Sequence, residues 1–140
     1  MAENAKFKDY LAKVEQAYKA GNATEHTHRP ALKTLLEAFQ KGVTATNEPK
    51  RIKCGAPDYI ITRKDIPLGF VEAKDIGVSL DDAEKSEQLK RYRESLGNLI
   101  LTDYLEFRWY VGGVFRLSAR LAKPQASGKL RAEADGAQEL

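Results

Sequence analysis

The sequence predicts an α/β fold, a mixed sheet with a central antiparallel hairpin flanked by helices. Three observations carry this. Helix-period stripes occupy the first forty or so residues. Short β-branched and aromatic runs follow, separated by turn residues. A further helical pattern then interrupts those runs, which separates strands and calls for a crossover. Length and composition bound the rest. At 140 residues the chain is one domain, large enough to bury a core without staples. Its single cysteine excludes an internal disulfide and a cysteine-based zinc site. No run reaches the roughly 18 apolar residues of a membrane span, and Met1–Tyr10 lacks a signal-peptide core, so a cytoplasmic location is expected. The net charge of +3 permits a nucleic-acid partner without demanding one.

The elements follow in order. Phe7, Tyr10, Leu11, Val14, Ala17 and Tyr18 make one stripe, so residues 7–20 form a helix stopped by Gly21-Asn22. Leu32, Leu35, Leu36 and Phe39 define a second helix ending near Lys41. It starts near Thr27 with Pro30 in its first turn, or at Thr24 with a kink at Pro30. Residues 43–57 read as turn-formers around a basic cluster, Lys50, Arg51 and Lys53. Residues 58–62 and 68–74 read as strands about a turn centred on Asp65, and Ser79 caps a helix over residues 80–95 with Asp82 at its third position. Residues 98–102 form a buried strand, and Gly112-Gly113 joins a hairpin of residues 105–111 and 114–117. Residues 122–140 read as a linker or frayed tail.

Chemistry concentrates in the first hairpin. Glu72 and Lys74 are two apart on a strand and share a face, with Val71 and Ala73 inward. A turn centred on residue 65 gives paired residues a constant index sum, which sets Asp58 opposite Glu72 with Cβ atoms ~5 Å apart. Opposed carboxylates destabilise a sheet unless a cation sits between them, and two oxygen ligands at that spacing suit magnesium. Glu-x-Lys alone means little in a chain that is 31% charged. Its conjunction with Pro57-Asp58 and a Tyr-Ile-Ile strand is what gives it weight.

The pattern resembles the PD-(D/E)XK nuclease superfamily, with Asp58, Glu72 and Lys74 at its signature positions. Residues 24–32, 47–58, 67–75, 88–92 and 98–110 are similar to the N-terminal nuclease domain of single-polypeptide restriction-modification enzymes, in which a nuclease is fused to an adenine-specific DNA methyltransferase and sometimes to a helicase-like motor. The similarity spans about residues 8–113. It implies a restriction-endonuclease-like fold over residues 1–121 and DNA phosphodiester hydrolysis with Mg2+, or Mn2+ as an alternative. Asp58, Glu72 and the Ala73 carbonyl would hold the metal, and Lys74 would assist the nucleophile. It also implies a further acid from an early helix. Glu25 faces the core side if that helix begins at Thr24, whereas Glu37 falls about 140° from Leu32 at 100° per residue, so Glu25 is the choice. Gln88 and Tyr92, at i and i+4, become a site-flanking pair, with Tyr92 as plain core the competing reading.

DNA is the implied partner. Lys50, Arg51, Lys53, Lys90 and Arg91 are the candidates for phosphate contact, and Lys85 and Arg93 add to the basic helix. A fused or separate methyltransferase is a second implied partner. A double-strand break calls for two active sites, hence dimerisation during cleavage. The chain lacks the Asp/Asn-Pro-Pro-Tyr methylation motif and any Walker sequence, so it would be a fragment, a split subunit or a free-standing nuclease. The alternatives are a RecB-like or structure-specific nuclease outside restriction, and a non-catalytic DNA-binding module of the same fold. Cys54 reads as a small packed side chain, His26 and His28 as surface residues, and Phe107, Trp109 and Tyr110 as hairpin core.

Overall fold

A computed structural model describes residues 2–20, 27–38, 42–47, 55–124 and 130–132. Helix α1 (Ala2–Lys19) buries Phe7, Tyr10 and Val14, which lie at i, i+3 and i+7 on one face. Helix α2 (Arg29–Ala38) begins with Pro30 at its second position, where a missing N–H costs nothing. That answers the ambiguity at this helix in favour of the later start.

Six strands form one sheet in chain order: β1 (Val43–Asn47), β2 (Tyr59–Arg63), β3 (Ile66–Ala73), β4 (Asn98–Thr102), β5 (Glu106–Val111) and β6 (Val114–Arg120). Every neighbouring pair is antiparallel except β3–β4, which is parallel and needs a crossover. That crossover is two helices, α3 (Leu80–Glu84) and α4 (Glu87–Ser95).

Helices cover both faces. On one, α1 and α2 pack Val14, Leu32 and Leu35 against Tyr59, Val71, Ala73 and Phe107. On the other, α3 and α4 pack Leu80, Leu89 and Tyr92 against Leu99, Leu101 and Tyr110. Val71 and Ala73 therefore face α1 and α2, while Glu72 between them faces the other way. No helix among the described residues is long and apolar enough to cross a membrane.

Four departures from the sequence reading have physical causes. The stretch 43–47 is a strand, not a turn, and pairs with β2 from Val43↔Arg63 to Asn47↔Tyr59. As an edge strand it buries only Ala45 fully, so it carries no apolar alternation to read. The single helix over 80–95 is two, because Ser86 is a second N-cap whose hydroxyl accepts from the Leu89 N–H (3.2 Å) and donates to the Ala83 carbonyl (2.7 Å). Ser79 caps α3 through the Asp82 N–H as expected. In place of a linker from residue 122, β7 (Ala122–Pro124) pairs with β8 (Leu130–Ala132), and Ala122 is buried in the core. Finally, the β2–β3 turn is the two residues Lys64 and Asp65, both at positive φ as a tight hairpin needs. Pairing there runs Arg63↔Ile66 and Thr62↔Pro67. Leu68 then bulges, and from Ile61↔Gly69 to Tyr59↔Val71 the index sum is the expected 130.

Candidate active site

The site lies at the C-terminal end of β3, the position where ligands collect on parallel strand pairs. Asp58 sits one residue before β2, beside the Tyr59↔Val71 rung. Its backbone N–H donates to Glu72 Oε1 (3.2 Å), and its own Oδ2 accepts from the Ala73 N–H (2.8 Å). Beyond the strand end, the Lys74 N–H donates to the Thr102 carbonyl of β4 (2.7 Å), which fixes the backbone on which the lysine is mounted. Lys74 Nζ then reaches Glu72 Oε2 (3.4 Å) and Gln88 Oε1 of α4 (3.2 Å). The structure therefore brings Asp58, Glu72, Ala73, Lys74 and Gln88 together.

Tyr92, one turn after Gln88, is buried in the α3–α4 core. Gly55 packs on its ring so closely that a Cβ there would lie 3.0 Å from Cε1. Tyr92 thus holds the backbone at Gly55 against α4. Lys90 and Arg91 are exposed on α4. Arg93 instead pins the β5–β6 turn, donating to the Gly113 carbonyl (3.0 Å) and lying 4.8 Å above the Tyr110 ring. Glu25, Lys50, Arg51, Lys53, His26 and Cys54 lie outside the described residues. Glu37 is taken up elsewhere, by Lys33 Nζ (2.6 Å) and the Ala45 N–H (2.9 Å).

The expectation that the two carboxylates oppose each other without compensation needs correction. Arg29, 4% exposed at the start of α2, donates from Nη2 to Asp58 Oδ1 (2.8 Å) and from Nη1 to Asn47 Oδ1 of β1 (3.0 Å). Tyr104 joins the same guanidinium through a side-chain hydrogen bond. The Tyr59 hydroxyl donates to the Arg29 carbonyl (2.9 Å), so the main chain is held as well. Each acid therefore has its own cation, Arg29 on Asp58 and Lys74 on Glu72.

Compensation is incomplete at Glu72. Burial pushes its carboxyl up to about 7, and the charge of Asp58 adds in the same direction, while Lys74 offsets part of both. Carboxylates so crowded would be stabilised by a cation. The donor set, two carboxylates with the Ala73 carbonyl adjacent, is of the hard-oxygen kind that magnesium takes. Among the described residues no group of three or more His, Cys, Asp or Glu side chains gathers in a metal-holding arrangement. The described side chains fit a cation held by two carboxylates and completed by backbone and water oxygens.

His28 departs from its expected surface place. It is buried against Tyr104, ring centroids 5.2 Å apart, and burial lowers its pKa. Trp109 departs the other way: it is 37% exposed and donates to Asn98 Oδ1, while Phe107 and Tyr110 are core as read. Arg29, Asn47 and Tyr104 lie within the stretches that carry the resemblance, but the sequence reading assigned them no role of their own. One signal was there: Arg29 lies three and seven residues before Leu32 and Leu36, on the apolar stripe of α2, where a charge has to be paired.

No family model and no curated protein matches the chain. Among solved structures, a complex of DrdV with DNA, determined by electron cryomicroscopy, shares the fold with a TM-score of 0.70 at 21% identity. The match covers 83% of this chain and 12% of the DrdV chain, so the chain spans a small part of that protein's length. The architecture, a six-stranded mixed sheet with helices on both faces, is consistent with a restriction-endonuclease-like fold.

Proposed function

We propose that this chain is a magnesium-dependent DNA endonuclease domain of a restriction-modification system. The observation that carries the reading is the convergence of Asp58, Glu72, Lys74 and Gln88 at the end of β3. The fold it shares with a protein solved on DNA supports the choice of substrate. The resemblance of its motifs to fused nuclease–methyltransferase enzymes supports the restriction setting, with a methyltransferase and specificity domain as partner and two copies meeting for a double-strand cut.

In this reading Asp58, Glu72 and the Ala73 carbonyl hold Mg2+, or Mn2+, and Glu25 supplies a further ligand. When bound, the ion activates water and neutralises charge on the phosphoryl oxygens. Each carboxylate oxygen accepts one protein donor and keeps a second lone pair for that purpose. Lys74 has three donors, two of them spent on Glu72 and Gln88. The third is available to orient the nucleophile or to meet charge as it develops on the scissile phosphate. Gln88 holds the ammonium from the α4 side and so sets its direction. Lys90 and Arg91, with Lys50, Arg51 and Lys53, take DNA phosphates without reading sequence.

One observation favours a second reading, a non-catalytic DNA-binding module: both acids already carry protein cations. Plasmid nicking decides. The endonuclease reading expects magnesium-dependent conversion of supercoiled to nicked or linear DNA, lost in Glu72→Gln and Lys74→Ala. DNA binding with no cleavage in magnesium or manganese would favour the module.

A further inference from the structure

We propose that Arg29 is a positioning residue, a built-in counter-ion of Asp58 that makes the divalent-cation affinity of the Asp58–Glu72 pair depend on nucleic-acid phosphate. The proposal rests on the metal-dependent reading above. Its basis is a fixed charge in a built place. The Arg29 side chain is 4% exposed, its fork is divided between Asp58 Oδ1 (2.8 Å) and Asn47 Oδ1 (3.0 Å), and its carbonyl is tied to Tyr59. A guanidinium does not lose its proton in a protein, so this positive charge is permanent. Lys74 stands 3.4 Å from Glu72 in the same cluster. With both carboxylates ionised, Arg29 and Lys74 offset the two negative charges of the pair, so what is left to draw a cation is the charge of acids beyond it, such as Glu25 in the metal-dependent reading.

A divalent cation entering a site whose two acids are already offset leaves it with an excess of positive charge. A site of bare carboxylates would draw the ion strongly; this one draws it weakly. A DNA phosphate brought to the same place adds negative charge and removes part of the excess. Cation and DNA therefore raise one another's affinity, and linkage requires the factor to be the same in both directions. The consequence is a site that fills when substrate is present and stays largely uncharged by metal otherwise. Arg29 suits this better than a lysine would, because its planar fork spans the Asp58 and Asn47 oxygens together and so cannot swing away from the acid without breaking both bonds.

The test is Mn2+ affinity of the full chain, read from the electron paramagnetic resonance signal of free Mn2+, with and without a short DNA duplex in mildly alkaline buffer. Three proteins are compared: wild type, Arg29→Gln and Asn47→Asp. Asn47 is exposed, so its variant keeps the fold while giving Arg29 a second carboxylate. Without DNA, Arg29→Gln should bind Mn2+ about tenfold or more tighter than wild type, and the duplex should add correspondingly less. Asn47→Asp should shift in the same direction by a smaller factor. An arginine with a merely structural role predicts the opposite, weaker binding as Asp58 loses its support. Unchanged or weaker DNA-free affinity in Arg29→Gln overturns the proposal, and so does unchanged affinity in Asn47→Asp if Arg29→Gln does not fold. Mn2+ binding by none of the three, with or without DNA, brings down the metal-dependent function itself, a different result from equal binding by all three.

Discussion

The substitution Asp58→Asn separates a charge meant for metal from one that also holds the fold. If Asp58 and Glu72 simply repelled each other, removing one charge would stabilise the protein by on the order of 0.2–1 kcal/mol. The structure assigns Asp58 two donors, Arg29 Nη2 on Oδ1 and the Ala73 N–H on Oδ2, both at 2.8 Å. An asparagine has one carbonyl oxygen and an amide that only donates, so it can serve one of those donors and must turn an N–H toward the other. Orphaning a buried donor costs about 1–3 kcal/mol. Breaking a buried ion pair costs about 3–5 kcal/mol, and less here because the Asp58 side chain is 16% exposed and Asn47 and Tyr104 still accept from Arg29. After the relieved repulsion is subtracted, a net loss of about 2–4 kcal/mol remains, which is roughly 8–15 °C in melting temperature for a chain of this size. The assay is urea and thermal denaturation of both proteins in the presence of a chelator. A variant equal to or more stable than the wild type would refute the structural bond to Arg29 and restore simple repulsion. A double-mutant cycle with Arg29→Gln should return a coupling energy of about 1–3 kcal/mol; additive losses would deny the pair.

The pH dependence of stability should carry the mark of Glu72. Its folded pKa, about 7, lies above the value of 4.5 for an unburied glutamate, so the folded state binds more protons between those limits and stability falls as pH rises through them. At ~1.4 kcal/mol per pKa unit the loss is on the order of 3 kcal/mol, and Glu72→Gln should flatten this stretch of the stability–pH curve measured with a chelator present; an equally steep curve in the variant would place the titration elsewhere. Lys74→Ala should lower the cleavage rate constant by ~100-fold or more, about 3 kcal/mol of barrier, while DNA-free cation affinity holds or rises as Glu72 loses its cation; single-turnover nicking and Mn2+ titration check the two halves, and normal cleavage removes the lysine from the chemistry. Gly113→Ala should destabilise by ~1–3 kcal/mol, because Gly113 has φ +83° and a Cβ would lie 2.8 Å from the Arg93 carbonyl oxygen; a melting curve that does not move would mean that the β5–β6 turn and α4 are less tightly joined than their contacts imply.

The legible parts of this molecule are those where one local rule suffices. Residues two apart share a strand face, so Glu72 and Lys74 were bound to meet. The opposition of Asp58 and Glu72 came out of a symmetric hairpin centred on Asp65, yet the real turn is centred half a residue earlier and the Leu68 bulge restores the sum. The right pair was reached through two offsetting displacements, and pattern alone contains neither. Strand β1 was missed because its Thr and Asn residues face water on an edge. The break between α3 and α4 was missed although the sequence carries it: at about 100° per residue Leu80 and Ala83 lie nearly opposite Leu89 and Tyr92, so the apolar stripe changes phase near Ser86.

Arg29 was missed for a deeper reason. Its partners, Asp58, Asn47 and Tyr104, are respectively 29, 18 and 75 residues away and come from the start of β2, β1 and the loop after β4. No spacing rule links them; only the sheet order does, by setting β1 beside β2 and α2 over both. A motif search finds the acids and the lysine because they lie on one hairpin, and it therefore describes a pair of negative charges waiting for metal. The fold adds a cation from a helix on the opposite face of the sheet from Gln88, so the cluster is gripped from both sides, Arg29 on Asp58 and Gln88 on Lys74. The electrostatic balance of the site belongs to the tertiary structure, and it is the balance, more than the identity of the two acids, that decides when a cation can enter.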